Sequence, residues 1–156
     1  MLEIMLVGKP KINAGFGLFG GGIASDYSNY TDKYNYSSDA VAAGTVLGQA
    51  RHGLAATGNS TTGIFGGGIA SDYSNYTDKY TYATNAVAAG SVLGVARYYL
   101  AATGNATVGI FGGGLTGSNS NYTDKYTYSS NAVAAGTVLG LGRSGLAATS
   151  SSPGGF

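Results

Sequence analysis

The chain repeats itself. Phe19, Phe65 and Phe111 each open a Phe-Gly-Gly-Gly run, 46 positions apart. The same offset relates Thr31-Asp32-Lys33-Tyr34 to Thr77-Asp78-Lys79-Tyr80 and to Thr123-Asp124-Lys125-Tyr126, with no insertion or deletion. Residues 17–62 and 63–108 are identical at 35 of 46 positions. Self-similarity at such a period marks an array of one supersecondary unit whose copies bury their faces against one another. Three units, 17–62, 63–108 and 109–154, account for the chain apart from an irregular arm at 1–16 and two terminal residues. Whatever this chain folds into is one unit used three times.

Inside the unit the readable period is 2. In Tyr30-Thr31-Asp32-Lys33-Tyr34-Asn35-Tyr36, tyrosines alternate with Thr, Lys and Asn, the pattern of a half-buried strand rich in aromatic and β-branched residues. Gly63-Ile64-Phe65 is apolar, ends in a triple Gly and is too short for a helix. Leu54-Ala55-Ala56-Thr57 reads as another strand before it, with Gly58-Asn59 as a hairpin-turn signal between the two. Ala40-Val41-Ala42-Ala43, reached through Ser37-Ser38-Asp39, fits a strand or one helical turn. Read as a strand, it completes a four-stranded antiparallel meander, and the fold class is all-β.

A four-stranded sheet of about 46 residues, repeated, suits the blade of a β-propeller. The order Ile64-Phe65-Gly66-Gly67, Tyr80, Asn85, Arg97, Leu100-Ala101-Ala102 resembles the kelch repeat: a strand ending in a glycine pair, a Tyr, a turn Asn, an Arg and the next blade's inner strand. The resemblance covers nearly the whole chain, three times over. Val87 stands where kelch repeats usually carry Trp, and Thr81 where they often have Asp, so tyrosines would take over the packing between blades. The chain also resembles Tyr- and Gly-rich kelch-like arrays encoded by bacteria and their phages, which implies a virion surface or another extracellular assembly.

Propellers close with roughly four to eight blades, because closure removes exposed faces and edges. Three blades make half of a six-bladed ring. Residues 146–149 repeat the inner strand of a fourth blade whose other strands are missing, and the first unit lacks that strand in its normal form. Two copies exchanging equivalent strands would form a homodimer, or a higher homo-oligomer with another blade number. In a rival arrangement, residues 2–7 fill the first blade's vacancy in their own chain or dock on another protein.

Successive antiparallel strands place the long connections 21–29 and 42–51 on one face. Loops on a rigid scaffold carry recognition. Asp26, Tyr27 and Asn29, with Asp72, Tyr73 and Asn75, are the binding candidates there, for a protein or a glycan. The alternative for the Asp and Asn side chains is ordinary turn formation. In the third unit Asp72-Tyr73 becomes Ser118-Asn119, so a site using the acid occurs twice.

Composition narrows the chemistry. Eight Lys+Arg against seven Asp+Glu give a net charge of +1, too little for a nucleic-acid binder, which needs a stripe of cations. Without cysteine there is no disulfide scaffold, thiolate metal site, cysteine nucleophile or Cys–Tyr cross-link of the kelch-like copper oxidase type. No apolar run approaches the roughly 20 residues of a membrane span, and residues 1–7 do not read as a secretory signal. The sequon matches at Asn29, Asn59, Asn75, Asn105 and Asn121 therefore read as turn chemistry, and residues 150–156 as a flexible tail ending in an aromatic.

Gly15-Phe16-Gly17-Leu18-Phe19-Gly20 matches the dinucleotide fingerprint, but a glycine-rich loop follows where the motif needs a helix. The single His52, replaced by Tyr98 and Ser144 in the other units, offers no metal site or general base. Asp32, Asp78 and Asp124 fall in phase with the tyrosines, which turns them inward, where a carboxylate needs a partner. Pairing within each unit gives Asp32 with Arg51, Asp78 with Arg97 and Asp124 with Arg143, three bidentate structural struts. An arginine cluster of sialidase type would lack the accompanying acid and nucleophile. The expectation is a non-enzymatic, self-assembling display module without cofactor or metal; the alternative is a multivalent lectin, its Tyr rings stacking on sugars.

Overall fold

The computed structural model describes residues 15–151. Among them there are eleven strands and no helix: β1 Phe16–Gly20, β2 Thr31–Asn35, β3 Ala40–Ala43, β4 Ala55–Gly58, β5 Thr62–Gly66, β6 Thr77–Thr81, β7 Ala86–Ala89, β8 Ala101–Gly104, β9 Val108–Gly112, β10 Thr123–Thr127 and β11 Ala132–Ala135. They form three antiparallel sheets in chain order: β1-β2-β3, β4-β5-β6-β7 and β8-β9-β10-β11. The Ala-rich stretch is a strand in all three units. Gly15 to Gly20, the dinucleotide-like run, is strand β1 with its approach, and no helix follows it.

Local chemistry accounts for the turns. Asn59 Oδ1 accepts the backbone N–H groups of Thr61 and Thr62, at 2.9 and 3.0 Å, closing the β4–β5 hairpin; Asn105 does the same for β8–β9. The second hairpin of each sheet needs a left-handed residue, and Asp39, Asn85 and Asn131 supply it with φ of 53°, 55° and 59°. Asn and Asp tolerate that region better than other side chains. Two sequons are thus turn-forming asparagines.

The second and third sheets each straddle two repeats, because β4 and β8 come from the end of one unit and pair with the next. Ala56 lies opposite Phe65, and Ala102 opposite Phe111. The first sheet has three strands among the described residues; the expected role of residues 2–7 in closing it lies outside them, as does most of the tail. Residues 146–149 join no ladder, yet they follow the path of β4 and β8. Thr57 Oγ1 donates to Thr103 O at 3.1 Å, and Thr103 Oγ1 donates to Thr149 O at 2.8 Å, one repeat further on.

The core lies between sheets. Leu47 of the first unit packs with Phe65 and Tyr80 of the second. Leu93 of the second packs with Phe111 and Tyr126 of the third. Glycine makes room: a Cβ at Gly20 would lie 2.9 Å from Phe65 Cε1, and one at Gly66 would lie 2.8 Å from Phe111 Cε1. Phe65 and Phe111 therefore each rest on the glycine of the unit before.

Candidate functional site

The charged residues form joints between units. Arg51 pairs with Asp78, and Arg97 with Asp124; all four side chains are buried. This corrects the within-unit pairing expected from the sequence. Arg51 follows β3 and faces the incoming sheet, so its nearest carboxylate belongs to the next unit. The pairs are also not bidentate: Arg51 NH2 meets Asp78 Oδ2, while NH1 donates to the carbonyl of Tyr76 at 2.8 Å and to that of Gly67. Asp78 Oδ1 accepts the Gly48 N–H at 2.8 Å, and Asp124 Oδ1 the Gly94 N–H at 2.9 Å. Backbone groups thus take up much of what each ion pair leaves over, although the Nε of Arg51 and of Arg97 is buried without a hydrogen-bond partner. Burial pushes both guanidinium groups below their usual range, against the opposing pull of Asp78 and Asp124.

A pairing shifted by one unit leaves a remainder. Asp32 in the first unit and Arg143 in the third are exposed and take no ion-pair partner among the described residues. Among the described residues there are two struts, with an acid in the first unit and a cation in the third left over. The same holds for the aromatics: Phe65 and Phe111 are 3 % and 0 % exposed, whereas Phe19 is 66 % exposed.

The long connections do lie together. Arg51 N donates to Ser28 O at 3.0 Å and Leu47 N to Asn29 O at 2.8 Å. The candidate binding residues divide on this face. Asp26 and Asp72 each accept the N–H of the following tyrosine at 2.7 Å, and the Asn29 and Asn75 amides each donate to a leucine carbonyl, of Leu47 and Leu93, at 3.1 Å. These four polar side chains shape the loops.

The tyrosines face outward. Tyr27 lies 4.6 Å from the ring of His52, and Tyr73 stacks on Tyr98 at 5.1 Å with an interplanar angle of 20°. Tyr98 meets Tyr99 at 4.6 Å, and His52 joins Tyr98 at 6.4 Å and Tyr99 at 6.0 Å. Five rings form one cluster spanning two units, with Tyr27, Tyr73 and Tyr99 exposed. In the third unit Asn119, Ser144 and Gly145 stand in the places of Tyr73, Tyr98 and Tyr99, and Ser144 Oγ donates to Asn119 Oδ1 at 2.9 Å. Sequence reasoning named Tyr27 and Tyr73 but missed Tyr98 and Tyr99, and treated His52 merely as a variable position.

Tyr99 carries its own signal. It has φ of 53°, while its counterparts Gly53 and Gly145 sit at 63°. A bulky residue in the left-handed region costs roughly 1–2 kcal/mol relative to its ordinary conformation. Two units use glycine there, and one bears that cost to add a ring to the cluster.

Conventional pockets are shallow. A depression of about 330 Å³ lies between β8, β9 and residues 149–151, and one of about 200 Å³ beside Asn59 and Tyr128; neither is lined by a carboxylate, an imidazole or a cation. No group of three or more potential metal ligands occurs among the described residues. No protein-family model matches the chain, and no curated protein matches it.

Proposed function

We propose that this protein is a non-enzymatic interaction module: a kelch-like half-propeller that associates with itself and presents its loop face to a protein partner. The five-ring cluster carries the display part of the reading. Tyr rings bring large contact area at low entropic cost, and each retains a polar tip for orientation. They stand on loops held by backbone bonds at 2.7–3.3 Å, so little ordering is needed on binding. The units otherwise nearly copy one another, yet they differ at the touching pair Tyr27/His52, Tyr73/Tyr98 and Asn119/Ser144. Loop positions that vary on a rigid scaffold are where recognition usually sits. The composition, rich in Gly, Ser, Thr, Asn and Tyr, suits a virion surface or other extracellular assembly.

The lectin is the second reading, favoured by the exposed Tyr rings. Against it, a sugar site needs free polar groups beside the rings, and Asp26, Asp72, Asn29 and Asn75 are engaged with backbone. Selection of a displayed peptide library on the wild-type protein, repeated with Tyr73→Ala/Tyr98→Ala, tests the reading. Enrichment of a common peptide motif that the double variant loses supports protein recognition. Enrichment unchanged by the substitutions, or binding confined to a glycan array, refutes it.

A further inference from the structure

The two internal joints show what a joint consists of. On the receiving side stand an arginine, a glycine N–H, a leucine and a bare strand glycine: Arg51, Gly48, Leu47 and Gly20, then Arg97, Gly94, Leu93 and Gly66. On the entering side stand an aspartate and a phenylalanine: Asp78 and Phe65, then Asp124 and Phe111. A backbone bridge completes each one, His52 with Ile69 and Tyr98 with Leu115. The end of the third unit presents a full receiving set in Arg143, Gly140, Leu139 and Gly112, and the start of the first presents a full entering set in Asp32 and Phe19, with Ile23 at the bridging position. Arg143, Asp32, Phe19 and Ile23 are all exposed.

We propose that the third unit of one copy receives the first unit of a second copy, in the register of the internal joints. The partner is another molecule of this chain; the inference deepens the self-association part of the function proposed above and is independent of what the aromatic cluster binds. Arg143 pairs with Asp32 of the other copy, whose second carboxylate oxygen accepts the Gly140 N–H. Phe19 of that copy rests on Gly112 and covers Leu139, which is only half-buried where Leu47 and Leu93 are 1 % exposed.

The backbone makes the same demand. Among the described residues β1 is the open edge of a three-stranded sheet, and residues 146–149 already lie one repeat beyond β8 through the Thr103–Thr149 bond without joining a ladder. Carried forward by 46 residues, the β4–β5 and β8–β9 registers put Ala147 opposite Gly20, Ala148 opposite Phe19 and Thr149 opposite Leu18 of the other copy. An unpaired edge of this kind is a template for strand addition. Charge sets the polarity. Two first units together would oppose Asp32 to Asp32, and two third units Arg143 to Arg143, so only the head-to-tail joint brings opposite charges together. A head-to-tail joint closes into a ring when its rotation allows and otherwise propagates.

Sedimentation velocity on the full chain, with Arg143→Asp, Asp32→Arg and their equimolar mixture, tests the joint. Both positions are exposed within one chain, so circular dichroism of each variant should match wild type. Wild type should sediment as a closed dimer, a larger ring or a polymer. Each single variant should weaken association by at least about 30-fold, the cost of an unpaired charge in an interface. The mixture should reassemble, since the new acid at 143 then faces the new arginine at 32. The monomeric variants should still bind whatever probe the Tyr73/Tyr98 cluster binds, which separates failure of the joint from failure of the display reading. A wild-type chain that stays monomeric at all concentrations, or variants that assemble as wild type does, would overturn the proposal. Monomeric wild type with the β1 amides protected from hydrogen exchange would overturn it in favour of closure within one chain.

Discussion

Phe19 and Phe65 occupy the same place in the same repeat, followed by the same three glycines, yet one is 66 % and the other 3 % exposed. Asp32 and Asp78 differ in the same way, and so do Arg143 and Arg51. Identical local sequence produces identical strands and turns at both places. What differs is whether a neighbouring unit exists on the relevant side. In a repeat array, stability is approximately a sum of unit and nearest-neighbour terms. The middle sheet has both neighbours, and each outer sheet has one.

The widest separation between joint and end should come from the arginines. Arg51→Ala leaves Asp78 buried without its counter-charge and should destabilise the chain by about 3–5 kcal/mol. Arg143→Ala, read by denaturant unfolding at a dilution where copies are apart, should cost less than about 0.5 kcal/mol. Equal effects at the two positions would mean that joint and end do not differ. Phe65→Ala empties the space over Gly20 and should cost about 3–4 kcal/mol, whereas Phe19→Ala under the same conditions should leave the urea midpoint nearly in place.

A pH scan sharpens the comparison from another side. Tyr82 lies where the first sheet meets the second, its ring 5.2 Å from Phe16. Burial is the main cause that pushes its phenol up to about 12, with the Tyr128 and Tyr36 hydroxyls adding to it. The raised value means that the fold favours the neutral form. The resulting stability is complete below the unfolded value near pH 10 and disappears as pH rises through about 12, an effect on the order of 2 kcal/mol. Denaturant midpoints across that range should fall for wild type and fall less for Tyr82→Phe.

The smallest effect is expected at Tyr99. Replacing it by Gly, as at Gly53 and Gly145, relieves a left-handed bulky residue while loosening the unfolded chain. Thermal stability should be unchanged or rise by less than about 1 kcal/mol, and binding through the aromatic cluster should weaken. A large loss of stability would mean that the ring serves packing.

Strands and turns were legible because their causes are local. Alternating tyrosines specify β2, β6 and β10, and Asn59 and Asn105 close hairpins with their own side chains. Even the choice between strand and helical turn for residues 40–43 could be made from the meander it completes. The loop face was legible in outline from strand reversal, though not the division between polar side chains that hold the loops and rings that face solvent. That division rests on which backbone donors and acceptors happen to lie within reach of Asp26, Asn29, Asp72 and Asn75.

By itself, then, the sequence determined the repeat, the strands, the turns and the inward phase of the aspartates. It left open which arginine each aspartate meets, because in a tandem repeat the partner within a unit and the partner one unit on have the same neighbours. Docking of whole sheets resolved that choice in favour of Arg51–Asp78 and Arg97–Asp124. The physical reason is that a buried ion pair depends on proximity and exclusion of water, which no single repeat possesses until the next one packs against it. The same step left Asp32 and Arg143, in the first and third units, without an ion-pair partner among the described residues.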